Sequence, residues 1–269
     1  MALARPLLMG VVNVTPDSFS DGGHFLSPAA AIAHARVLVD DGADLLDIGA
    51  ESSRPGAAPL PLEQELARLM PVLAGCANLG VPVSVDTYKP EVMRAVVAGG
   101  AAMLNDIWGF RRDGALQAAA AAARQGVALV VMHMDRDPLT MQDHPEYADV
   151  VAEVRAFLGE RIDALVAVGV PRGQIVIDPG FGFGKTVEHN LQLLRELGQL
   201  GALGVPVLAG LSRKSTIGAL TGRADPAQRV HGSVAAALIA AQNGATILRV
   251  HDVAATRDAL RVWRAARPD

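Results

Sequence analysis

An eightfold alternation of short apolar runs with longer helical segments predicts an α/β fold, a single-domain (β/α)₈ TIM barrel spanning residues 1–269. Three observations carry this. The runs are nearly continuous in apolar character, as in strands covered on both faces of a parallel sheet. The segments between them are rich in helix formers. Polar, chemically versatile residues stand directly after the runs, where a barrel of this type places its site. A doubly wound open sheet is the alternative on the same strand count.

Taken in order, the first run (7–14) closes in Asn13-Val14-Thr15-Pro16-Asp17 and precedes a helical segment at 28–41. The second (44–48) opens into Gly49-Ala50-Glu51-Ser52-Ser53-Arg54-Pro55-Gly56 before 62–79, and the third (81–85) into Asp86-Thr87-Tyr88-Lys89 before 90–98. The fourth (102–105) ends in Asn105-Asp106, followed by alanine-rich 115–123, which reads as a helix. The fifth (127–132) ends in His133-Met134, and the sixth (174–177) in Asp178-Pro179-Gly180-Phe181-Gly182-Phe183-Gly184-Lys185 before 188–200. The seventh (206–209) leads to Ser212-Arg213-Lys214-Ser215; the eighth (246–250) contains Arg249 and runs into His251-Asp252. The longest uncharged stretch, 233–248, is broken by Gln242-Asn243-Gly244, a helix stop rather than a lipid-facing span.

Composition narrows the function. With 24 basic against 28 acidic side chains, a net charge of −4 argues against a nucleic-acid-coating protein, and 4% aromatics are too few for a base-stacking surface. At 51% apolar and 19% charged the chain is not disordered. One cysteine, Cys76, excludes an intrachain disulfide and a cysteine-based zinc cluster and suits a reducing compartment. The N-terminal apolar stretch lacks a small-residue cleavage site, so the expectation is a cytoplasmic protein with no membrane partner. Of the 24 basic residues only three are lysine, Lys89, Lys185 and Lys214, and each follows a proposed strand end.

Two opposed sets carry the chemistry. Arg213, Lys214, Arg249 and His251 gather near strands 7 and 8, joined by Arg54 on the second loop. A phosphate or diphosphate is their natural ligand, since this region of the fold commonly binds phosphate and Lys214-Ser215 leads into a helix start; the bland reading is solvated loop cations. Asp86, Asn105 and Asp178 end strands 3, 4 and 6 and are costly to desolvate unless paired with a ligand or one another. A carboxylate taking two parallel N–H bonds suits an aminopyrimidinone edge; the bland reading is a turn or N-cap residue. No Gly-x-Ser-x-Gly elbow is present. Gly180–Thr186 lacks the first glycine of a nucleotide P-loop, because Pro179 stands there; its glycines read as tight turns and Lys185 as a surface residue. His133 and His144 show no metal-type spacing.

The ordered motifs beginning at Met9, Asp47, Ser84, Asn105, Asp178, Ser212 and Arg249 closely resemble those of bacterial dihydropteroate synthases, from residue 8 to about 253. The resemblance implies condensation of 6-hydroxymethyl-7,8-dihydropterin diphosphate with p-aminobenzoate, yielding 7,8-dihydropteroate and diphosphate in folate biosynthesis. It implies that Asp86, Asn105, Asp178 and Lys214 hold the pterin, with Asp178 on its amino edge. It makes Asn13 the Mg²⁺ ligand and Arg249 with His251 the diphosphate anchor. Ser53 and Arg54 belong to a second loop that closes over the site with the first, 15–23. By the same resemblance Ser215 is expected to contact the aminobenzoate carboxylate, and Phe19, Pro55 and Phe183 to wall that pocket, which sulfonamides share in the family. A homodimer is also implied. The family's second loop usually reads Ser-Thr-Arg-Pro; here Ser53 keeps the hydroxyl and loses a methyl. Rival readings are a pterin barrel that transfers methyl groups to a corrinoid, a non-catalytic pterin-binding paralogue and a Schiff-base aldolase on Lys214. Arg54, Ser212-Arg213-Lys214-Ser215, Arg249 and His251 argue against the first and the intact loop motifs against the second; borohydride trapping of a carbonyl substrate would point to the third.

Overall fold

The computed structural model describes residues 5–14, 27–51, 59–135 and 145–266. Its eight strands are β1 (Leu7–Asn13), β2 (Leu45–Gly49), β3 (Val83–Asp86), β4 (Met103–Asp106), β5 (Ala128–Met132), β6 (Ile175–Asp178), β7 (Leu208–Ala209) and β8 (Ile247–Val250). All pairings are parallel, in the spatial order β6-β5-β4-β3-β2-β1-β8-β7. That order follows the chain around without reversing, and a parallel bridge between Ile177 and Val207 joins the two ends of the sheet. A doubly wound sheet reverses its strand order; this one closes, so the barrel is confirmed.

The helices are α1 (Pro28–Asp40), α2 (Leu62–Cys76), α3 (Pro90–Ala98), α4 (Ala115–Ala123), α5 (Val150–Ala167), α6 (Val187–Arg195), α7 (Ser215–Thr221), α8 (Val230–Gln242) and α9 (Val253–Ala265). Local chemistry sets their ends. Ser27 accepts from Ala30 N–H, Asp149 from Val151 and Ala152, and Thr186 forms a capping box with His189. α8 ends at the expected Gln242-Asn243-Gly244, where Asn243 donates across to Leu194 O at 2.7 Å and Gly244 takes φ 100°. Among the described residues no helix is long and apolar enough to cross a membrane.

Period-two geometry divides each strand. Outward residues such as Leu46, Val85, Leu104, Leu129, Ile177 and Leu248 pack with the helices in one large core. Met9, Leu45, Val130, Val176, Leu208 and Ile247, with Leu7 and Met103 against them, form a separate apolar plug inside the barrel. A continuous plug closes the lower barrel to solvent and leaves the C-terminal mouth as the accessible end.

Candidate active site

Two residues beyond the plug, on the same faces of the strands, the inner wall changes character. Leu45 gives way to Asp47, Met103 to Asn105, Val176 to Asp178 and Ile247 to Arg249, while β3 contributes Ser84 and then Asp86. The expected Asp86, Asn105, Asp178 and Arg249 therefore share one layer. The sequence reading missed Asp47 at its centre: wholly buried, its Oδ2 accepts from Arg249 Nε at 2.6 Å and from Asn105 Nδ2 at 3.2 Å. Arg249 Nη2 lies 3.5 Å from Asp86. Asp47 Oδ1, Ser84 Oγ and Asn105 Oδ1 are buried without a hydrogen-bond partner among the described residues. Buried polar atoms normally have partners, so this layer is chemically suited to a polar ligand.

The layer is electrostatically tense. Burial, then the neighbouring Asp47 carboxylate, pushes the Asp86 pKa up, and Arg249 pulls it back. Asp178 is also raised by burial, with Lys214 and the Gly180 N–H, 2.7 Å from its Oδ1, acting the other way. Lys214, the residue before α7, donates to Phe181 O and sits 4.7 Å from the Phe183 ring centroid. Burial brings its pKa down to about 8 against the pull of Asp178.

Several expectations change in the fold. Arg213 does not join the open cations: with φ 59°, it pairs in a fork with Asp252 at 3.0 and 2.5 Å. His251 is close to Ser212, whose Oγ lies 3.0 Å from its Nδ1 and accepts its backbone N–H. Burial, then the Arg249 and Arg213 charges, lowers its pKa to about 3, so it is a neutral imidazole and not a cation. Lys185 is not on the surface: it is buried, bonded to His133 and two backbone carbonyls. Lys89 follows a strand end as expected but is clamped by Glu51 and by Glu65, the latter at 2.5 Å. Burial of a lysine or carboxylate in a network of partners leaves no compositional trace, so these roles had no signal beyond position.

Asn13 is half-buried at the end of β1, paired in register with Gly49, whose other neighbour is Asp86. Ser215 is exposed at the first residue of α7, and Phe183 is buried beside Tyr88, Ile107, Met132 and Met134. Ser53, Arg54, Pro55, Phe19, His144 and the loop 15–23 lie outside the described residues.

Comparison with known proteins agrees with this architecture. Residues 9–251 match the family described as pterin binding enzyme. A dihydropteroate synthase of Neisseria meningitidis serogroup B is 50% identical over 270 residues, covering 98% of this chain and 94% of that protein. The solved Xanthomonas albilineans dihydropteroate synthase with 4-aminobenzoic acid has 58% identity and a TM-score of 0.91, covering 98% of this chain and 94% of that one. The same enzyme in complex with 7,8-dihydropteroate gives 55% identity and a TM-score of 0.88, covering 100% and 97%. This chain belongs to the pterin binding enzymes and, within them, to the dihydropteroate synthases.

Proposed function

We infer that this barrel mouth joins 6-hydroxymethyl-7,8-dihydropterin diphosphate to p-aminobenzoate, forming 7,8-dihydropteroate and releasing diphosphate in folate biosynthesis. The observation that carries this reading is the polar layer itself: Asp86, Asn105 and Asp178, at the C-terminal ends of three strands, share the mouth with Arg249 and Lys214 directly above an apolar plug. The relatives solved with 4-aminobenzoic acid and 7,8-dihydropteroate support the two ends of the reaction.

Each residue then has a chemical task. Asp178 accepts from the amino edge of the pterin, and the buried Asn105 Oδ1 takes a ring N–H. Arg249 and the neutral His251, as a hydrogen-bond donor, hold the diphosphate; Lys214 lies between pterin and leaving group. The bond from the exocyclic methylene to diphosphate oxygen breaks with its electron pair leaving on diphosphate. The electron-rich dihydropterin carries the resulting positive charge, and the arylamine nitrogen then forms the new C–N bond and loses a proton. Such a path needs electrostatic stabilisation rather than a strong base, which fits a mouth whose Asp47 and Asp86 carboxylates are engaged in ion pairs with Arg249. Ser215 and Phe183, with Ser53, Arg54, Pro55 and Phe19, receive p-aminobenzoate, in a pocket that is also a sulfonamide target.

A magnesium ion fits the donor set. Asn13 offers one amide oxygen, and among the described residues no group of three or more His, Cys, Asp or Glu forms a cage. Magnesium held mainly by substrate phosphates and water needs few protein ligands, and when bound it neutralises charge on the leaving diphosphate. The protein acts as a cytoplasmic homodimer in this reading. Its test is direct: folded protein supplied with Mg²⁺, the pterin diphosphate and p-aminobenzoate yields dihydropteroate and diphosphate in equal amounts, and no product above background overturns it.

A further inference from the structure

Lys185 is only 4% exposed, and its ammonium faces three acceptors: Gly180 O at 3.0 Å, Phe183 O at 2.9 Å and His133 Nδ1 at 3.0 Å. An ammonium has three N–H bonds and no acceptor, so this set uses all of them, and none of the three partners is a carboxylate. When Lys185 is the ammonium, His133 Nδ1 accepts from it and the ring proton is on Nε2. Burial, then the Lys185 charge, keeps that imidazole neutral. The ring is itself fixed edge-on against Phe157, 4.9 Å between centroids.

Two of these acceptors belong to one loop, Gly180–Gly184, which connects β6 to α6. It turns on Gly180, Gly182 and Gly184, with φ of 68°, 81° and 60°, and its carbonyls are taken up largely by side chains. Lys185 holds those of Gly180 and Phe183, Tyr147 Oη donates to Gly184 O at 2.9 Å, and Lys214 donates to Phe181 O. The loop passes close to the chain after β5, since a Cβ on Gly180 would lie 1.9 Å from His133 O and only glycine fits there. One lysine thus secures the loop from within, and the loop in turn secures the other lysine at the mouth.

We propose that Lys185 is a positioning residue for the condensation: seated in the carbonyl cup of the β6–α6 loop and braced on His133, it sets the Phe181 carbonyl and the Phe183 ring that hold Lys214 over the mouth. It touches no reacting atom. Methionine of similar length fills the space but leaves the Phe183 carbonyl without this donor and the Gly180 carbonyl with the Phe183 N–H at 3.1 Å alone, and buried carbonyls are costly to leave unpaired. The proposal rests on the synthase reading of the mouth, and its tests separate the two.

Lys185→Met, checked for folding by near-ultraviolet circular dichroism, is compared with wild type in dihydropteroate synthesis. The expected result is a kcat/KM for the pterin diphosphate about tenfold lower or more, because small displacements of a positioning group are expensive in rate. A merely structural role lowers Tm and leaves the kinetic constants of the folded protein unchanged; folded Lys185→Met within about twofold of wild type overturns the proposal. An inactive wild type overturns the synthase reading instead. A second measurement needs no Lys185 variant. With only three lysines in the chain, ¹⁵N-lysine labelling gives three Nζ resonances, and Lys89→Arg and Lys214→Arg assign two by disappearance. The remaining resonance is expected to be a protected ammonium whose protons exchange slowly below the pKa of about 7 to which burial brings this lysine, and shift when pterin binds. Exchange as fast as free lysine, or no shift on binding, contradicts the proposal.

Discussion

The guanidinium of Arg249 meets the wholly buried carboxylate of Asp47 at 2.6 Å, Nε to Oδ2, and reaches Asp86 at 3.5 Å with an outer nitrogen. Asp47 thus fixes the cation assigned to the diphosphate before any substrate arrives. An ion pair of this kind is worth little relative to an apolar replacement, but removing one partner strands the other charge. Asp47→Ala should cost about 3–5 kcal/mol of stability and raise KM for the pterin diphosphate, whereas Asp47→Asn, which keeps an acceptor, should cost less in both. Denaturant unfolding and steady-state kinetics check this, and an Asp47→Ala protein as stable as wild type is the contrary result.

Lys214 supplies a pH signature. Burial lowers its pKa from the usual 10.5 to about 8, so it is a cation below that value and loses charge as pH rises through it. If the ammonium is required, kcat/KM falls on the alkaline side of about pH 8, approaching about tenfold per pH unit. In Lys214→Arg the charge persists at every accessible pH, but a planar fork replaces a compact ammonium. That variant should be impaired near neutrality and should lack the limb near pH 8. Near-normal kinetics, or an unchanged limb, contradicts the assignment.

Much of this site was legible in the chain, for physical reasons. The eight strands were found because buried parallel strands are almost uninterruptedly apolar; their ends differ from the expected runs by at most one residue, and by two at the starts of β3 and β7. β3 begins at Val83 rather than 81 after Pro82, which has no N–H to donate although its carbonyl accepts from Leu46 N. β7 shrinks to Leu208–Ala209, with Val207 making an isolated bridge to Ile177. Asp86, Asn105, Asp178 and Arg249 showed because polar residues at strand ends are conspicuous. Asp47 did not, because it stands inside the second run, and its burial depends on a partner 202 residues away. Lys185 did not, because lysine is ordinarily a surface residue.

The Lys89 clamp illustrates the same blindness and carries its own prediction. Lys89 joins Glu51, two residues past β2, to Glu65 on α2, which is 1% exposed; Tyr88 Oη donates to Glu51 at 2.7 Å and Thr87 Oγ1 to Glu65 at 2.6 Å. Lys89→Met leaves two carboxylates without their cation. We expect a loss of about 3 kcal/mol or more in unfolding free energy, with Glu65→Gln in the same background recovering part of it. A double-mutant cycle measures the coupling, and strict additivity denies it.

The central claim is that different residues of one mouth, Asp178 on β6 and Arg249 on β8, read the two halves of the pterin diphosphate. Calorimetric titration of the hydroxymethyl dihydropterin with and without its diphosphate, against wild type, Asp178→Asn and Arg249→Ala, tests it most directly. Asp178→Asn should weaken both ligands by about tenfold or more, in line with the 1.5–3 kcal/mol of a charge-assisted hydrogen bond. Arg249→Ala should weaken chiefly the diphosphate form. Unchanged pterin binding by Asp178→Asn would contradict the account.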